Sequence, residues 1–192
     1  MPDTETDAKA SLFLRERLSM EIPNSYREVI EPLIAKARGF LEAGESLSPF
    51  AFVGNFSTKQ ILPVLINTKD EDAKDRAALA IQMAAAQTDA DFIFTIIEAW
   101  GLPKDKLPRH QEILHRYGSL ANSPYKIDTV GFMLETRYGM WGAQMPLKPK
   151  GRSKKKRTFG EVTFQFLDGA VGRFAGLLPV PDDAPSGGAP LH

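Results

Sequence analysis

The segment DFIFTIIEAW, residues 91–100, constrains the chain most, because its apolar side chains fall on both alternating faces until Glu98. A strand of that kind has no polar side to turn to water, so it needs cover above and below. The run predicts a central strand of a layered sheet, ended by Gly101 and Pro103.

The flanking patterns supply neighbours for it. Tyr26, Val29, Ile30, Leu33, Ile34, Ala37 and Leu41 recur at helical spacing up to Gly44, and Ser25 with Glu28 has the form of a capping box. Pro32 lies inside this helix, where it removes a backbone donor and predicts a kink or a later start. Residues 49–56 and 60–67 are aromatic or β-branched runs joined by a polar turn, which reads as a hairpin. Pro63 assigns the second of these strands to an edge or a bulge. Thr68 and Glu71 form another capping box before a helix striped with Ala73, Ala77, Ala80, Ile81, Ala84 and Ala85. Small side chains of that kind let a helix lie close on the hairpin.

Residues 102–123 read as a linker holding a short helix at 109–117. Strand patterns follow at 126–137, 140–147 and 159–167, with Tyr138-Gly139 as a tight turn and Asp168-Gly169 leading a hairpin into 171–176. The fold class expected is α+β: a mainly antiparallel sheet of about five to seven strands with two main helices packed on one face. One domain over 23–178 is expected, between a mobile N-terminal arm (1–22) and a disordered Pro/Gly/Ala-rich tail (179–192).

Composition narrows the function classes. The 24 Lys+Arg balance 24 Asp+Glu, so attraction to nucleic acid has to be local rather than global. The absence of cysteine removes disulfides, thiolate nucleophiles and thiolate metal sites. Neither a leader-like segment nor an apolar run of membrane-spanning length is visible, which gives a cytoplasmic expectation without membrane contact.

The sharpest local feature is KPKGRSKKKR, in which Lys148, Lys150, Arg152, Lys154, Lys155, Lys156 and Arg157 crowd one loop. Such density attracts phosphates and releases counterions on binding, so nucleic acid or another polyanion is the implied partner. Trp141, Phe159 and Tyr138 are the nearby rings on which bases would stack if exposed. The structural reading of the same loop is a solvated turn whose charges keep strand edges from pairing with other chains.

Glu98 shares a face with Phe92, Phe94, Ile96 and Trp100, a setting able to raise a carboxyl pKa and poise it as a general acid or base. In the enzyme reading it meets Arg137, Trp100 or a histidine from 110–115 in a cleft at the strand end, and in the structural reading it is a strand-end carboxylate paired with Arg137 or simply in water. His110 and His115, five apart, fall on different helix faces and do not suggest a shared metal. The phosphate-cradling glycine motifs, the serine elbow and the two-histidine zinc motif are all missing, so no cofactor or metal is implied. A non-enzymatic binding or interaction module is the leading expectation. Self-association through a strand edge and a small enzyme built on Glu98 stand beside it.

The segments DADFIFTIIEAWGLP (89–103) and LETRYGMWGAQMPLKP (134–149) resemble segments of small bacterial and phage-associated α+β proteins without an assigned activity. The resemblance spans about residues 30–148. It implies a strand ending in Glu-Ala-Trp followed by a loop and a paired strand, and it supplies no catalytic residue.

Overall fold

The computed structural model describes residues 21–179 except positions 154 and 171. Residues 1–20 of the expected arm (1–22) and 180–192 of the expected tail (179–192) lie outside the described residues, while Ile22 is buried in the core beside Tyr26 and so belongs to the folded body.

Helix α1 (Asn24–Ala43) is followed by β1 (Phe50–Asn55), β2 (Gln60–Leu65), α2 (Glu71–Gln87) and β3 (Phe92–Gly101). A 3-10 turn (Lys104–Arg109), α3 (His110–Tyr117) and a second 3-10 turn (Leu120–Asn122) lead to β4 (Ile127–Thr136) and β5 (Gly139–Pro146). The short strands β6 (Lys148–Pro149), β7 (Arg157–Thr158) and β8 (Gln165–Phe166) complete the order. Six strands form one antiparallel sheet in the order β2-β1-β3-β4-β5-β8, and β6 with β7 forms a separate small ladder. The fold is α+β, with β3 inside the sheet between β1 and β4.

Strand alternation sorts the core into two layers. Phe92, Phe94 and Ile96 join Val130, Phe132, Leu134, Trp141 and the Tyr26–Ile30–Ile34–Leu41 stripe of α1. Ile93, Ala51 and Val53 face the other way and pack with Ala77, Ile81, Ala84 and Ala85 of α2. The two main helices therefore lie on opposite faces, which corrects the expectation of a shared face. The doubly apolar β3 is the physical reason, since each of its faces needs its own cover.

Local signals moved by a residue or two. Pro23 precedes α1 without a side-chain cap, so the Ser25–Glu28 box does not form. The helix runs through Pro32 and closes on Gly44, whose φ of 93° lets its N–H reach Leu41 O while Glu45 N–H reaches Phe40 O. Helix α2 is capped by Asp70, whose carboxylate accepts from Ala73 N–H, rather than by Thr68. The β4–β5 turn is Arg137-Tyr138, one residue earlier than the sequence suggested.

The last third departs most. Within 159–167 only Gln165–Phe166 pairs with the main sheet, against Trp141 and Gly142. Phe159, Val162 and Phe164 instead drape over the first core beside α1, where Phe166 also packs. No strand forms in 172–176, where turns and bends run to Leu177. That segment is clasped on the second face by Glu135, whose carboxylate accepts from the N–H groups of Leu177 (3.1 Å) and Leu178 (2.9 Å). Among the described residues no helix is long and apolar enough to cross a membrane.

Candidate functional site

Strand β5 delivers the chain to the basic segment at the end of the sheet opposite the Arg137-Tyr138 turn. There it folds into a small hairpin in which Lys148 pairs Thr158 and Pro149 pairs Arg157. Lys150 N–H donates to Lys156 O at 2.8 Å, and Gly151 takes the left-handed φ of 66° that the reversal requires. The Ser153 hydroxyl is used inside the turn, accepting from the N–H groups of Lys155 and Lys156.

Two carboxylates hold this hairpin to the body of the protein. Arg157 grips Glu98 in a fork, Nη1 to Oε2 at 2.8 Å and Nη2 to Oε1 at 3.2 Å. Leu47 N–H adds a third bond to Glu98 Oε1 at 2.8 Å, tying in the loop between α1 and β1. With side chains 25% and 23% exposed, Glu98 and Arg157 are shielded enough for the fork geometry to count. Glu42, near the end of α1, accepts from Lys150 Nζ and from Thr158 Oγ1. These two bonds, Lys150 first, hold the Glu42 carboxyl below the ordinary glutamate range. The anchor is therefore complete above that range and weakens as pH falls through the lowered value. A methyl placed on Gly44 would meet Lys155 Cβ at 3.6 Å and Lys156 Cγ at 3.7 Å, so the lysines lie at the electronegative end of α1.

What remains outward is a set of exposed cations. Lys148, Arg152, Lys155 and Lys156 are exposed, and among the described residues none of them has a carboxylate at ion-pair distance. Lys154 lies outside the described residues.

No protein-family model, curated protein or solved structure matches this chain.

Glu98 and Arg137 are not brought together. Glu98 pairs with Val130 in the sheet, whereas Arg137 follows Thr136, the partner of Phe92. Six strand residues separate the two levels, about 20 Å at the usual rise. Arg137 instead binds Asp91 Oδ1 at 2.7 Å and lies 5.6 Å from the Tyr138 ring centroid. Glu98 is occupied on both oxygens by hydrogen-bond donors, the arrangement of an anchor rather than of an open acid. His110 and His115 are exposed on α3, and no cluster among the described residues has the donors to hold a metal.

The stacking platform does not assemble either. Trp141 and Phe159 are only 1% and 2% exposed in the core. Tyr138 is 62% exposed but sits at the far turn.

Two features escaped the sequence. Nothing local in the sequence marks Glu42 as having a partner 108 positions away. An open groove of about 430 Å³ also lies beside the anchor, lined by Leu33, Ala37, Phe40, Phe50, Phe52 and Ile96 among others. Leu47 contributes to that lining and gives its N–H to Glu98, so groove and hairpin share one loop.

Proposed function

We propose that this chain is a binding module that grips a polyanion, foremost the phosphate backbone of a nucleic acid, through the hairpin 148–157. The observation that carries the reading is the outward set Lys148, Arg152, Lys155 and Lys156, without acidic partners among the described residues, in a chain whose formal net charge is zero. Local charge of that kind binds phosphates by displacing their counterions.

The buried state of Trp141 and Phe159 supports backbone contact over base stacking, and so a partner recognised by charge and spacing rather than by sequence. A cytoplasmic, bacterial setting belongs to the same proposal, in keeping with the cysteine-free composition. Catalysis has no part in it.

Fluorescence anisotropy with a labelled DNA duplex across salt concentrations tests the reading. Four phosphate contacts predict a slope of log K against log salt of about −3.6. Absent binding at low salt, or affinity indifferent to salt, overturns it.

A further inference from the structure

We infer that Glu98, although an acid beside a basic hairpin, is a positioning residue that promotes polyanion binding; this rests on the function proposed above. Net charge alone has the opposite effect. A carboxylate near a cationic surface lowers its potential, and removing one should tighten an anion.

The geometry separates the two acids. Glu98 lies on the rigid β3 and receives Arg157 through two parallel bonds while its Oε1 also takes Leu47 N–H. That triple contact fixes one limb of the hairpin, Arg157–Thr158, against the sheet. The opposite limb follows from the ladder, because Pro149 pairs with Arg157 and Lys150 N–H bonds Lys156 O. The positions of Lys148, Lys155 and Lys156 are thereby tied to one guanidinium–carboxylate fork. Long cationic side chains on an unfixed loop lose more freedom on binding, and fixing their backbone lowers that cost.

Glu42 has a different place. Its Oε1 accepts from Thr158 Oγ1, an anchoring bond that the side-chain oxygen of a glutamine would keep, while its Oε2 takes Lys150 Nζ at the surface, where it occupies a cation that a phosphate would otherwise meet. It is an internal counter-ion, and its removal should release Lys150.

Opposite signs are therefore expected for two substitutions that change net charge identically. In the duplex titration at about 0.1 M salt, Glu98→Gln should weaken binding about eightfold and flatten the salt slope by about 0.9, the equivalent of one phosphate contact. Glu42→Gln should tighten binding by up to about eightfold and steepen the slope by about 0.9. Arg157→Lys conserves charge but loses the fork, so it should behave as Glu98→Gln does. Melting curves for each variant set a working temperature below every transition, and Arg157→Lys, which retains a cation for Glu98, covers the case in which Glu98→Gln folds poorly. If the unaltered protein fails to bind duplex, the functional proposal falls. If it binds, and both Glu98→Gln and Arg157→Lys bind equally well or more tightly, the positioning role falls while the functional proposal stands.

Discussion

Gly54 shows how closely single residues are fixed in this sheet. A Cβ at that position would lie 2.1 Å from Cζ of Phe92, whose ring crosses it from the paired strand and packs edge-on with Tyr26. The ring is fully buried and cannot swing aside without disturbing α1. Gly54→Ala should lower the denaturation midpoint, at a cost of about 1–3 kcal/mol, with the denaturant slope unchanged. An unaltered midpoint would contradict the packing described. At this scale the sequence was informative about residue type and poor about partners. For Glu98 the sequence offered Arg137 or water as the neighbour, whereas the partner is Arg157, which the chain path returns to that end of β3 59 positions later in the sequence.

Among the elements, β2 carries the most exposed risk. Ile66 N–H donates to Pro49 O, so alternation sends the backbone groups of Gln60, Leu62 and Val64 toward β1 and those of Ile61, Pro63 and Leu65 outward. Pro63 thus removes the central outward donor of an edge strand whose Ile61, Leu62 and Leu65 are exposed. Pro63→Val should restore that donor and promote edge-to-edge association, seen by light scattering as mass rising with concentration. A variant that scatters as the unaltered protein does would show that Pro63 does not guard the edge. The edge placement was readable beforehand because a missing donor is a property of the residue itself. The segment 159–167 was read as a full strand because alternating Val162, Phe164 and Phe166 record burial on one face, and before β8 that burial comes from draping over the core rather than from pairing.

For the whole molecule, the two-sided apolarity of β3 outweighs every other pattern. It required cover on each face, and the structure supplies one main helix to each rather than both to one. The alanine stripe of α2 gave closeness of approach but no face. The basic hairpin was equally plain in the sequence, while its anchoring to Glu42 and Glu98 arises only when α1, β3 and β7 meet. The account holds that this anchored hairpin is the binding surface. Amide chemical shifts of the isotope-labelled protein titrated with a DNA duplex at low salt test it most directly: shifts should concentrate at residues 148–157 and their neighbours around Gly44, and fade as salt is raised. Shifts absent there, or gathered at the far Arg137-Tyr138 turn, would contradict it.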